Sequence, residues 1–136
     1  MTQPSPPLSP FQLLIFAAFD VAGWLAAALL LRALGPTGIY DGGLRILVYV
    51  LIIPGTVPFI WLAGRLGRAQ PGQLFPGFAL SSGVATLCDG TALAWFPTLY
   101  GPTIAFHAGA GGTILWGVGV GIVLAYGMDR TATAAS

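Results

Sequence analysis

Four long apolar runs, separated by three clusters of glycine and proline, leave this chain few ways to fold. The runs are Gln12–Leu34, Leu44–Gly64, Leu74–Phe96 and Thr103–Tyr126. Each reaches the length of about 20 residues that a helix needs to cross a bilayer. Between them stand Gly35-Pro36-Thr37-Gly38 with Asp41-Gly42-Gly43, then Gly67 to Gly72 with Pro71, then Pro97 to Pro102, all helix-ending patterns. Hydrocarbon cannot satisfy backbone polar groups, so a lipid-embedded run of this length must be helical unless it joins a closed barrel. The expected fold is all-α, a four-transmembrane-helix antiparallel bundle in which the short connections make consecutive helices neighbours.

Composition agrees. The chain is 56% hydrophobic and 7% charged, against about 25% charged in soluble domains. With 136 residues, no stretch outside the runs is long enough to bury a second core. The organisation read from this is a Pro-rich N-terminal tail over 1–10, one membrane domain over 11–128, and a short C-terminal tail over 129–136. The run from Phe11 exceeds a signal-peptide core of about 7 to 15 residues and has no basic segment before it, so it reads as a retained span. A net charge of +1 without a basic run argues against nucleic acid as a partner and leaves the lipid bilayer as the expected one. Arg65, Arg68 and Arg130 fall on the side of the termini and Arg32 and Arg45 on the other; three against two favours both termini in the cytoplasm and leaves inversion or dual topology as alternatives.

Two carboxylates, Asp20 and Asp89, lie inside spans of a chain that has no Lys and no Glu. A charge held at such depth costs ~2.5 to 3.5 kcal/mol on insertion scales and usually faces a bundle interior or a polar path. On span three, helical spacing sets Ser82, Thr86 and Asp89 on one face. Asp89 and His107 are nearly equidistant from the turn at Thr98-Leu99, which makes them candidates for an ion pair or hydrogen bond able to exchange a proton. The plainer alternative is structural, a polar contact that holds two helices together. Asp20 shares a face with Ala17, Gly23, Trp24 and Ala27, about 12 Å from the termini's side by helix rise. Asp89 lies a similar distance from the opposite side, so the two are not expected to form a dyad. Thr56, Pro58, Gly117 and Gly119 are the residues expected near Asp20, with Arg65 able to reach inward to it.

Span two carries Pro54 and Pro58, which free the carbonyls of Val50 and Pro54 and predict a kink. Either the bend is structural, or it breaks the helix and exposes carbonyls to a cavity. Span four carries Ala105, Gly109, Thr113, Gly117, Gly121 and Ala125, a small residue at every fourth position. Such a seam lets backbones approach closely. It serves either the chain's own bundle or a homo-oligomer.

One His, one Cys (Cys88) and no Glu are too few ligating side chains for an ordinary zinc or haem site, and no cofactor or metal is expected. Gly109, Gly111 and Gly112 lie inside a span and form no phosphate cradle. The tryptophans and tyrosines are expected mostly at span ends, as an aromatic belt.

Leu87-Cys88-Asp89-Gly90, Trp95-Phe96-Pro97-Thr98-Leu99-Tyr100 and Leu115-Trp116-Gly117 resemble an uncharacterised bacterial family of small four-span membrane proteins. The resemblance covers roughly Leu80 to Tyr126. It implies the fold and a bacterial cytoplasmic-membrane location and supplies no activity. Small multidrug exporters are similar in span number, length and an acidic residue in span one, where Asp20 stands here. Their residue is a Glu and their surrounding motifs find no match.

The leading expectation is a structural or accessory membrane protein that associates through the span-four seam, with no enzymatic role. The alternative is an oligomeric proton-coupled transporter or channel that uses Asp20 and Asp89, with His107 tuning Asp89 and Pro54 and Pro58 shaping the path. A membrane enzyme ranks third, resting only on Cys88 beside Asp89.

Overall fold

A computed structural model describes residues 6–135; the start of the Pro-rich tail and the last residue lie outside the described residues. The chain forms four long helices, α1 Pro10–Leu34, α2 Gly42–Leu66, α3 Leu74–Trp95 and α4 Ile104–Ala134, with short 3-10 turns at Gly35–Thr37 and Pro97–Tyr100. No strand occurs among the described residues. Three of the four helices, α1, α2 and α4, are long and apolar enough to cross a membrane. α3 is the exception, and its polar residues are the reason: Ser81, Ser82 and Asp89 are buried, while Leu80, Val84 and Leu87 face outward.

Local chemistry sets the helix ends. Ser9 opens α1 by accepting from the Gln12 amide (3.2 Å) while Gln12 Oε1 accepts from the Ser9 amide (2.9 Å), a reciprocal cap with Pro10 at the first helical position. Pro10 therefore starts the helix rather than belonging to the tail. The α1–α2 connection turns at Gly38, whose φ of +83° is open to glycine and costly for other residues. The start of α3 is capped from another helix: Asp129 accepts from the Gly72 amide (2.8 Å) and the Phe75 amide (3.0 Å). Asp129 thereby satisfies donors that the first turn of α3 cannot pair itself. It also explains why α4 continues to Ala134, where a tail was expected from 129: that last stretch is anchored to α3.

The helices alternate in direction. α3 packs mainly on α1 and α4, and α2 mainly on α4, whereas α1 and α2 touch sparsely although they are consecutive. Aromatic rings seated on glycines make the close contacts. Phe16 covers Gly67 and Gly77, Phe59 covers Gly23, Phe78 covers Gly121, Tyr40 covers Gly109, and Phe106 covers Gly35 and Gly101. A Cβ at Gly77 would stand 2.6 Å from the Phe16 ring, and one at Gly121 would stand 2.9 Å from Phe78. Much of the span-four seam is thus filled by this chain's own residues: Gly109 by Tyr40, Gly121 by Phe78 and Thr56, with Thr113 and Ala125 buried, whereas Gly117 has only Ile52 nearby, 3.8 Å from where a Cβ would stand. Ala105 is exposed beyond the end of the seam.

Pro54 and Pro58 lie within α2, which runs unbroken from Gly42 to Leu66. Both are exposed. Of the two readings of these prolines, the uninterrupted helix goes with the structural one: they sit on the outer side of α2, where the loss of an amide hydrogen leaves the interior contacts intact.

Candidate functional site

Two apolar clusters close the ends of the bundle. Phe16, Ile60, Ala63, Phe78 and Ala125 form one, near the termini. Ala28, Leu31, Ile39, Ala92, Tyr100 and Ala110 form the other. The two buried carboxylates of α1 and α3 lie at different levels: Asp20 meets Ser81 and Ser82, whereas Asp89 meets Tyr100 and Trp24 at the second cluster.

Asp20 projects from α1 toward α3, where Ser81 and Ser82 both donate to its Oδ2, at 2.9 and 2.8 Å. Ser81 also donates to the Phe78 carbonyl at 3.0 Å. Adjacent serines on one turn of α3 thus converge on a single oxygen, and Oδ1 accepts no hydrogen bond within the chain among the described residues. Asp89 also takes two donors on one oxygen, but from other elements. Its Oδ1 accepts from Trp24 Nε1 at 3.1 Å and from the Tyr100 hydroxyl, and Trp24 Nε1 also lies 3.3 Å from the Tyr100 oxygen. Tyr100, on the 3-10 turn after α3, is completely buried. Burial, and then its bond to the Asp89 carboxylate, push the Tyr100 phenol up, so it stays a donor. Arg32 pins that turn by donating to the Thr98 carbonyl at 2.8 Å.

The expected Asp89–His107 pair does not form. His107 Nε2 meets the Gly101 carbonyl at 2.9 Å, and since a carbonyl only accepts, Nε2 carries the hydrogen. Equal distance from the turn gave the wrong partner because the connection is no simple reversal: Pro97–Tyr100 folds into the bundle end and brings Tyr100 to Asp89 first. Arg65 does not reach Asp20 either; its guanidinium lies 5.0 Å from the ring centre of Trp61, on its own helix. Pro58 and Gly119 face outward. Trp24 departs from the aromatic-belt reading, being a mid-helix donor to Asp89. Its position four residues after Asp20, far from either end of the run, was the available signal. Ser81 and Tyr100 are site residues that sequence reasoning left out, and Trp24, placed on the face of Asp20, proves to be a donor to Asp89.

A cavity of about 730 Å³, bounded by all four helices, lies where α1 and α2 touch sparsely. Asp20, Trp24, Phe59, Phe78, Ser82, Thr86, Thr56 and Thr113 contribute to its wall, the rest of which is aliphatic residues and glycines, Gly117 among them. Leu30 of α1 and Leu51 of α2, 58% and 56% exposed, also border it. The cavity therefore opens sideways between those two helices. Asp20 is its one ionisable wall residue among the described residues; Asp89 and His107 do not line it. No group of three or more potential metal ligands occurs among the described residues.

The chain matches no protein-family model, no curated protein and no solved structure.

Proposed function

We propose that this chain is a four-span integral membrane protein of the cell membrane and that it works as a small membrane carrier. Its cleft would take a molecule from the bilayer through the gap between α1 and α2. The observation that carries this reading is the sideways-opening, largely apolar cavity with Asp20 in its wall. Its size is that of a small-molecule site, which typically spans about 300 to 1,000 Å³ with few polar groups.

α3 crosses as the inner helix in this reading. Its buried serines and Asp89 face neighbouring helices, so lipid meets mainly Leu80, Val84 and Leu87. Four crossings keep both termini on the side of Arg65, Arg68 and Arg130, which we assign to the cytoplasm. The seam supports the carrier reading over an accessory role in assembly, since its glycines already seat Tyr40 and Phe78 of the same chain.

The test is ligand binding by purified protein in lipid nanodiscs, read as a rise in Tm with neopentylbenzene or a similarly sized amphiphile. Gly117→Phe places a ring in the cleft, where the nearest neighbour of a Cβ is 3.8 Å away, and should abolish the shift while leaving helix content unchanged. A panel that leaves Tm unmoved in the wild-type protein, or moves it equally in Gly117→Phe, would overturn the cleft as a ligand site.

A further inference from the structure

We propose that a groove on the outer face of the bundle, between α2 and α4, binds one anionic phospholipid, with Arg45 on its headgroup phosphate and an acyl chain laid along the apolar floor. The site requires the four-span reading above and is independent of the cleft between α1 and α2.

The groove has a volume of about 390 Å³ and is lined by Arg45, Ile46, Tyr49, Val50 and Ile53 of α2 and by Trp116 of α4. Two contacts build its floor. The rings of Tyr49 and Trp116 stack with centroids 5.3 Å apart, and Trp116 Nε1 donates to the Tyr49 carbonyl at 3.0 Å. The indole is thereby fixed across the joint between the two helices, and its one donor is used. Tyr49 turns its hydroxyl toward α4, 3.3 Å from where a Cβ of Gly112 would stand. Apart from Arg45, the side chains left to meet a ligand are the exposed aliphatics Ile46, Val50 and Ile53 and the aromatic rings. A peptide would bring its amides against side chains that cannot pair them. An acyl chain has no polar group to satisfy.

Arg45 decides the headgroup. Of the chain's five arginines, Arg32 is bound to the Thr98 carbonyl, Arg65 lies over Trp61 and Arg130 lies over Tyr126. The Arg45 guanidinium has no hydrogen-bond or ion-pair partner among the described residues. Asp41, four residues before it, is exposed and forms no ion pair with it. Arg68 is equally uncommitted, but it lies in the connection after α2 and lines neither the groove nor the cleft.

Position along the helix supplies the order of the two parts. Arg45 stands in the first turn of α2, which begins at Gly42, and Ile53 lies about 12 Å of helix rise farther in. The groove therefore offers a cation at its outer end and hydrocarbon along the rest, the order in which a phospholipid carries its phosphate and its chain. A guanidinium matches a phosphate with two parallel hydrogen bonds, and basic pockets between spans at headgroup level take lipid anions.

The experiment titrates the delipidated full chain in one detergent with phosphatidylglycerol or phosphatidylcholine and counts bound lipid by native mass spectrometry. Both lipids carry the same phosphodiester, and choline cancels its charge in the second, so their difference reads the net charge offered to Arg45. The wild type should take its first phosphatidylglycerol roughly fivefold more tightly than phosphatidylcholine. Arg45→Gln should abolish that preference, while Arg68→Gln, which removes the same charge elsewhere, should keep it. Equal losses in the two variants would reduce the effect to diffuse attraction and overturn the site, as would a wild type without preference. Val50→Trp fills the groove and leaves every charge in place, so it should weaken phosphatidylglycerol as well. Should Arg45→Gln fail to fold, this variant decides, and an unchanged affinity in it would overturn the groove. Inorganic phosphate in equimolar amount should leave the lipid bound; displacement would overturn the lipid as the occupant. A chain that enters nanodiscs of neither lipid would overturn the four-span reading itself, whereas entry without preference would overturn the site alone.

Discussion

Asp20 and Asp89 are the same residue type, each placed inside a long helix and each buried, yet their surroundings assign them opposite roles. Asp89 is closed in by an indole and a phenol from two other elements, α1 and the turn after α3. Asp20 receives two serine hydroxyls on one oxygen and borders an open cavity with the other side of the carboxylate. Each carboxylate takes its two donors on a single oxygen, so the number of donors does not separate them; what does is that Asp20 borders the cavity and Asp89 does not. Depth alone, the feature that makes both residues conspicuous in sequence, does not separate the two cases.

The contrast is sharpest in stability. Asp89→Leu strands the Trp24 indole and the Tyr100 hydroxyl inside the end cluster, and it should lower unfolding free energy by roughly 2 to 3 kcal/mol, read by denaturant titration in mixed micelles. A loss no larger than that of Asp20→Leu would erase the distinction between the sites.

The same division runs along the α4 seam. Gly121→Leu drives a side chain into Phe78 and Thr56, and overpacking of this kind should cost about 1 to 3 kcal/mol. Gly117→Leu enters the cleft instead and should leave stability within about 0.5 kcal/mol, the range of substitutions that disturb no packed contact. Thermal melts of the pair check this, and equal losses would mean that the cleft is as tightly packed as the clusters.

Tyr100→Phe removes one of the two donors to Asp89 and should cost about 1 to 1.5 kcal/mol. The wild type also carries a pH signature at this site. With the Tyr100 pKa raised above its ordinary 10.0, the folded state holds this proton more tightly than the unfolded chain does. The stabilisation is complete below pH 10.0 and is lost as the pH climbs from there toward the folded value. Tyr100→Phe should flatten that alkaline decline. Tyr40, whose phenol burial also pushes up, accounts for the remaining slope.

Smallest of all should be the effect of Asp20→Asn. The amide oxygen still accepts from the serines, and Ser81 has the Phe78 carbonyl as a second acceptor. Stability should change by less than about 1 kcal/mol, measured under the same conditions as Asp89→Leu. A loss comparable with that variant would make Asp20 a structural acid.

Much of the architecture was legible in the chain. Apolar run length and the glycine-proline clusters place the four helices, because both are local signals of backbone behaviour. The boundaries that moved did so for reasons of contact: α4 runs on past Tyr126 because Asp129 caps α3, and α1 begins at Pro10 because Ser9 and Gln12 cap each other. The site was legible only as a set of candidates. Asp20, Ser82 and Thr86 do come to one cavity, whereas Asp89 and His107 turn away from it and from each other.

Sequence by itself determined the number of helices and the placing of the two acids well inside them, since each depends on residues near one another in the chain. Tertiary structure decided the partners. Asp20 meets Ser81 across 61 positions, and Asp89 meets Trp24 across 65. Which donors arrive depends on α1 packing against α3 rather than α2, and on a 3-10 turn folding into the bundle end. Those are outcomes of shape, the seating of aromatic rings on glycines of other helices, and no periodicity within one run encodes them.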